Sequence, residues 1–454
     1  MTNDFTKGSP MKQIFFFTIP YLIGNLFQQF YNIVDTVIVG RVMNADALAA
    51  VGSTGGLVWF ANGAIVSLTT GFSAVISQYF GAKRPEKVRH AFGMSIFLSA
   101  VTAILVTTVT CIFAMPVLEL LKTPHEHGII NMAYDYVMWI FIGLGGSALF
   151  NLLSNAIRAL GDSKTPLVFL ISACIINIIL DIFLVPRMGT AGAGLATAIA
   201  QLTSGLMCIV FIVKKQPVLH IKRRHLKLNG VLIMHLLRVG IPMSLLNMLL
   251  SIGSIVMQFV SNTLGNVYMA SQTAAAKIEQ FVTQPLLSLG SATTVFVAQN
   301  FGAKKYSRIV DGCRKAQLMG IIWCIGISLI MFAFGKFFLG LVVGFDETEI
   351  IKNGYTYIVI NTAACIIVSM LIIAKGALQA MGRAVSPIIS GPTEILGRAM
   401  SSIGALMLFS SASAQYLGIC FSNPLAWLFG LIPIGIDYLI VMKRFKRLAQ
   451  TEQE

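Results

Sequence analysis

Long apolar runs, cut at intervals by short clusters of Gly, Pro and charged residues, fill almost the whole chain. Runs of this length suit helices that cross a bilayer, whose hydrocarbon core of about 30 Å takes roughly 20 residues. Periodicity and punctuation predict twelve such spans, at about 13–39, 53–80, 91–117, 132–156, 166–186, 190–213, 239–263, 268–298, 313–339, 353–378, 387–411 and 417–441. The first includes PYLIGNLFQQFYNIVDTVIVG, from Pro20 to Gly40. In it Gln28, Tyr31, Asn32 and Asp35 fall at i, i+3, i+4 and i+7 and form one polar stripe. A carboxylate at bilayer depth costs roughly 2.5–3.5 kcal/mol on insertion scales. Asp35 therefore faces protein or water and marks an ion, proton or substrate path, unless it lies close enough to the helix end to be solvated.

The pattern also repeats. QYFGAKR at 78–84 matches QNFGAKK at 299–305, and ALGDSKTP at 159–166 matches AMGRAVSP at 380–387, both at an offset of 221 residues. TIP at 18–20 and GIP at 240–242 open the two halves at an offset of 222. Each half then holds six spans, and an even number sets both halves the same way up. The predicted fold class is an all-α integral membrane protein: two six-helix lobes related by a pseudo-two-fold axis along the membrane normal, with a cleft between them. The lobes are expected at 1–213 and 239–454, joined by a basic cytoplasmic linker at 214–238. That linker either contacts anionic headgroups or serves only as a solvated topology signal.

Composition supports a membrane protein. Of 454 residues, 56% are hydrophobic and 11% charged, well below the roughly 25% charged residues of soluble domains. Net charge is +15, which on its own suits nucleic acid, but the distribution excludes that partner. With the N-terminus inside, 25 Lys and Arg fall in inside segments and five (Arg41, Lys122, Arg187, Lys336, Lys352) outside. This asymmetry puts both termini in the cytoplasm. The seven cysteines lie in or beside apolar runs, without a CxxC pair, and are expected to pack as free thiols. A polar, uncleaved N-terminus followed by an overlong apolar run reads as a retained first span.

A second intramembrane carboxylate stands on the fifth span, in SACIINIILDIFLVP, where Asn177 and Asp181 are i and i+4 on one face. Carboxylate and amide oxygens suit a hard monovalent cation, and the same Asp in a dry pocket can instead carry a proton. Thr197, in GAGLATAIAQ on the sixth span, can add a hydroxyl. The Asn177 and Asp181 pair also suits an interhelical hydrogen bond with no transport role.

Taken together, GNLFQQFYNIVDTVIVGR, QYFGAKR, ALGDSKTP, and NIILD followed by GAGLAT resemble the multidrug and toxic compound extrusion (MATE) transporters, and most closely their bacterial DinF-like branch. The resemblance covers the whole chain. It implies export of organic, often cationic, compounds in exchange for Na⁺ or H⁺. It carries Asp35, Asn177, Asp181 and Thr197 into a cation or proton site, which as a metal site would take Na⁺. It makes Gln28, Tyr31 and Asn155 neighbouring substrate-pocket residues. A bacterial inner membrane is implied as well. Partners are then small organic cations or drugs and membrane lipids, with no nucleic acid and no obligatory protein partner. No cofactor beyond the coupling ion is expected.

The second half does not duplicate the site: the 221 offset sets Arg398 opposite Asn177 and Ser402 opposite Asp181. Coupling is therefore expected in the first lobe. Glu394 and Arg398, i and i+4 on the eleventh span, are expected to pair, while Lys277 and Glu279 are two apart and cannot face each other. The 21 Met and 30 Phe residues fit an adaptable apolar cleft as well as ordinary packing. No Walker-type phosphate loop occurs, so ATP does not drive export directly, and no cluster of catalytic residues marks an enzyme. Twelve regular spans leave no re-entrant segment for a channel. The alternative is a lipid-linked oligosaccharide or lipid flippase of the same superfamily, which tends to a strongly cationic cleft; here only Lys277, Lys375 and Arg398 fall within spans.

Overall fold

The computed structural model describes residues 3–121 and 123–451, without the side chains of Asn32, Ala45, Ile252, Ser254, Ile255, Val256 and Thr451. Lys122 and the Asn32 side chain of the polar stripe thus lie outside the described residues. The described residues form fourteen α-helices. They are α1 (Pro10–Val42), α2 (Ala45–Gly81), α3 (Pro85–Leu120), α4 (Ile129–Ile142), α5 (Leu144–Ala159), α6 (Lys164–Met188) and α7 (Thr190–Lys215). In the second half come α8 (Gly230–Thr263), α9 (Asn266–Gly302), α10 (Tyr306–Val343), α11 (Thr348–Ala363), α12 (Cys365–Ala380), α13 (Val385–Leu408) and α14 (Ala412–Thr451).

Two pairs, α4 with α5 and α11 with α12, are single apolar passes bent by 44° and 49°. Among the described residues eight single helices and these two bent pairs are long and apolar enough to cross a membrane, and with α1 and α13 the helices make twelve passes. The spans expected as continuous at 132–156 and 353–378 are these two broken ones, interrupted at Gly143 and Ala364. In the first, Gly143 allows a close approach to α7: a Cβ there would stand 2.5 Å from Cβ of Ala198.

The 221-residue repeat is written into the backbone. The breaks at 143 and 364 are that far apart, as are the starts of α2 and α9 and of α3 and α10. Lys83 and Lys304 both take a left-handed conformation, at φ 53° and 60°, and Gly161 and Gly382 do so at 84° and 74°. After α2, Arg84 N donates to Tyr79 O; after α9, Lys305 N donates to Asn300 O. The left-handed residue turns the chain so that these amides satisfy carbonyls left open at the helix end.

The helices divide into central and peripheral ones by the same rule. In α2 and α9, 72% and 67% of the most apolar stretch is buried by protein, against 17% and 22% in α3 and α10. Small and hydroxyl residues let α2 and α9 each pack closely on helices of its own unit, while α3 shows Phe97, Ile104, Leu105, Ile112 and Phe113 outward, as a lipid-facing helix does.

The chain forms two compact units. One comprises residues 3–4 and Ile19–Ser244; the other comprises Phe5–Thr18 and the chain from Leu245 on. Helices α1 and α8 each change unit within two residues of an internal proline, Pro20 and Pro242. The core of the first unit gathers Phe72, Ile76, Met94, Phe150 and Ile157, and beside it Ile65, Val137 and Phe141.

The basic segment expected to link the lobes lies wholly in the first unit, and α8 begins inside it at Gly230. It folds as 3-10 turns at Pro217–Leu219 and Arg223–Leu226, held where Glu86 accepts from Arg224 NH2 at 2.7 Å and meets His225 Nε2 at 3.0 Å. The N-terminal segment is an anchor as well as a polar lead-in. Phe5, 1% exposed, packs its ring on Phe17 and Phe296 of the second unit. Its amide donates to Gln299 Oε1 at 2.9 Å, and its carbonyl accepts from Asn300 Nδ2 at 3.1 Å and Arg308 NH2 at 3.0 Å.

Candidate cation site and a buried charge network

Within the first unit, Asp35, Asp181 and Thr197 stand at one depth. Asp35 is seven residues before the end of α1, Asp181 seven before the end of α6, and Thr197 seven after the start of α7. At 1.5 Å per residue, each lies about 10 Å from the same face. The GAGLAT stretch explains how α7 comes so close. A Cβ at Gly192 would stand 2.5 Å from Leu184 O of α6, and one at Gly194 2.5 Å from Tyr136 O of α4. Only bare backbone fits at these two crossings. Thr190 Oγ1 fixes the start of α7 by donating to Met132 O at 2.7 Å.

The polar groups meet there. Asp181 and Asn177 are fully buried and Asp35 is 6% exposed. The two carboxyls interact directly, and the Tyr136 hydroxyl faces Asp35. With its amide turned so that both ends are satisfied, Asn177 Nδ2 donates to Asp181 Oδ2 at 2.9 Å and its oxygen accepts from Thr197 N at 3.2 Å. Tyr31 OH donates to Thr197 Oγ1 at 2.9 Å. Each carboxyl keeps one buried oxygen, Oδ1, without a hydrogen-bond partner among the described residues. Two facing carboxylates in a dry pocket repel and lack compensation, so a proton shared between them, or a small cation on their free oxygens, removes the cost. No Lys or Arg is paired with either among the described residues.

The structure thus brings together Asp35, Asn177, Asp181, Thr197 and Tyr31. It sets the other two pocket candidates apart. Gln28 is exposed, two helical turns before Asp35. Asn155 sits in a second cluster, where its Nδ2 donates to Thr69 and Thr70 hydroxyls at 3.2 and 3.3 Å and its Oδ1 accepts from Arg158 at 3.3 Å. Tyr136 is the group that sequence reasoning missed. Its signal was available, because the 221 offset pairs it with Tyr357.

The second unit buries its charges differently. Glu394 does not pair with Arg398, its i+4 neighbour; Lys375 Nζ of α12 reaches Glu394 Oε1 at 2.9 Å. Arg398 turns instead to α14, where Nε donates to Asn423 Oδ1 at 3.3 Å. Asn423 Nδ2 donates to both oxygens of Glu279, at 3.0 and 3.2 Å, and Tyr357 OH donates to Glu279 at 2.8 Å. Lys277, two residues from Glu279, is exposed.

A twelve-pass helical chain with a buried, uncompensated carboxylate pair has the build of a membrane transporter. The MatE family model matches residues 20–183 and 242–391, one stretch in each half, and the chain belongs to this family of transporters, which are not enzymes. It is 26% identical over 453 residues to a protein described as the probable multidrug resistance protein YoeA of Bacillus subtilis (strain 168), covering 98% of this chain and 96% of that one. It is 25% identical to the multidrug export protein MepA of Staphylococcus aureus (strain NCTC 8325 / PS 47), covering 84% and 83%. Among solved structures, MATE in complex with MaL6 matches with a TM-score of 0.89 at 19% identity, over 98% of this chain and all of the other. An outward-facing multidrug resistance MATE transporter of the MOP superfamily matches with a TM-score of 0.87 at 19% identity, over 97% and 99%.

Proposed function

We propose that the protein exports amphipathic organic cations in exchange for Na⁺ or H⁺ by alternating access, with Asp35 and Asp181 as the coupling site. The observation that carries this is the buried carboxylate pair, with one unpartnered oxygen on each side chain. Such a pair has a reason to bind a cation or proton and a reason to release it when the pocket opens to another solution. Asn177 orients Asp181, and Tyr31 holds Thr197. Relatives described as multidrug resistance and export proteins support efflux of drug-like compounds. A flippase has no comparable support.

The driving force suffices. One net charge moving down 100 mV releases about 2.3 kcal/mol, enough for roughly fiftyfold accumulation of a neutral compound. A monovalent cation exchanged one for one moves no net charge, and a tenfold ion gradient then supplies about 1.4 kcal/mol and about tenfold accumulation. The test is ethidium efflux from vesicles reconstituted with the purified protein, under an imposed Na⁺ gradient and, separately, an imposed pH gradient. Efflux driven by one of them supports the proposal and names the ion. Efflux of neither ethidium nor related cations under either gradient contradicts it.

A further inference from the structure

The second unit repeats positions of the first site with altered chemistry. The 221 offset takes Tyr136 to Tyr357 and Asn177 to Arg398. Both tyrosines lie beside a carboxyl group, Tyr136 beside Asp35 of α1 and Tyr357 beside Glu279 of α9, although the offset does not pair these two carboxyls with each other. In the first, Asn177 is neutral and the carboxyls have no counter-charge. In the second, the equivalent position supplies a guanidinium, 9% exposed, which Asn423 connects to Glu279 by accepting from Arg398 Nε and donating to both Glu279 oxygens. The counterpart of Asp181 is Ser402, whose hydroxyl turns back to Arg398 O at 2.6 Å and offers no charge. Room for the guanidinium comes from Gly253 of α8, where a Cβ would stand 2.5 Å from Arg398 NH1. That nitrogen is buried and makes no hydrogen bond among the described residues.

We propose that the second unit holds a cation cradle of its own, in which the guanidinium of Arg398 is the resident cation, tethered to the fold. The contrast with an exchanging site rests on the coupling role proposed for Asp35 and Asp181. Because the cation is covalently held, this cradle exchanges nothing during the cycle. With the tether cut, the cradle of Glu279, Tyr357 and Asn423 takes a free monovalent cation of the guanidinium class.

The test is thermal unfolding of the purified full-length protein with millimolar guanidinium chloride, against choline chloride at equal ionic strength. Arg398→Ala is expected to lose stability and to regain several degrees of Tm with guanidinium but not choline. Wild type and Arg398→Ala/Glu279→Gln are expected not to respond. Absence of a guanidinium shift in Arg398→Ala, or a shift that survives Glu279→Gln, overturns the proposal. Should Arg398→Ala not accumulate folded, Arg398→Lys against Arg398→Gln decides. The lysine keeps the tethered charge and holds Tm near wild type while the glutamine drops it; equal Tm values overturn the proposal. The guanidinium response is also measured in Asp35→Asn and Asp181→Asn backgrounds, where it persists. Failure of the first site as the coupling site would therefore leave this readout intact, and the two failures are distinguishable.

Discussion

The two units build the same scaffold around opposite electrostatics. In the first, two buried carboxyls face each other without a cationic side chain among the described residues, and an amide, three hydroxyls and a backbone N–H complete the pocket. In the second, the buried carboxyls are compensated: Glu394 by Lys375, and Glu279 by Tyr357, Asn423 and, through Asn423, Arg398. Backbone devices survive duplication because they define the path of the chain: the left-handed lysines, the paired glycines and the broken passes all recur at one offset. Side-chain chemistry is free to diverge because it does not define that path. Even the loops show it. Asp162 caps α6 by accepting from Lys164 N and Thr165 N at 3.0 Å, whereas its counterpart Arg383 pairs with Asp437 of α14 at 2.6 Å.

Charge removal should separate the units most sharply. Asp181→Asn is expected to reduce driven efflux to background while leaving Tm at or above wild type, because it relieves like-charge repulsion. Lys375→Met should do the reverse in kind, stranding Glu394 and costing about 3–5 kcal/mol. Lys375→Met/Glu394→Leu should return close to wild-type stability, which a thermal double-mutant cycle measures. The lead-in segments give the next contrast. Phe5→Ala should cost about 3–5 kcal/mol, whereas Leu226→Ala, at the matching offset but 51% exposed, should change stability by less than about 0.5 kcal/mol. The broken passes give the smallest. Gly143→Ala, which presses on Ala198, should cost about 1–3 kcal/mol, and Ala364→Gly about 0.5–1 kcal/mol. Chemical or thermal unfolding checks both pairs, and equal effects within either pair would erase that asymmetry.

Much of this was legible in the chain. Apolar length predicted twelve passes because a membrane leaves the backbone few alternatives to a helix. The FGAK motif predicted the duplication because its left-handed lysine and helix-end hydrogen bonds depend on local sequence. Asp35, Asn177 and Asp181 stand out in the sequence as polar groups at bilayer depth, and the structure gathers them with Thr197. The breaks at Gly143 and Ala364 were not, since neither carries a proline and the bend depends on packing against other helices. Glu394 and Arg398 show the limit of spacing: i and i+4 allow a pair, but Lys375 from the neighbouring helix takes Glu394. Spacing also did not reveal that Thr69 and Thr70 of α2 hold the amide of Asn155. Phe5 was hidden in a polar terminus, and its site on the second unit is some 290 residues away in sequence.

The central claim is that exchange occurs at the carboxylate pair of the first unit and not at the charge network of the second. Its most direct test is ion-gradient-driven ethidium efflux from vesicles carrying equal amounts of folded wild type, Asp35→Asn, Asp181→Asn and Glu279→Gln/Arg398→Gln. The account predicts that both Asp variants lose the response to the gradient while the Glu279→Gln/Arg398→Gln protein keeps it. Gradient-driven efflux surviving in either Asp variant, or vanishing only in the second-unit variant, would contradict it.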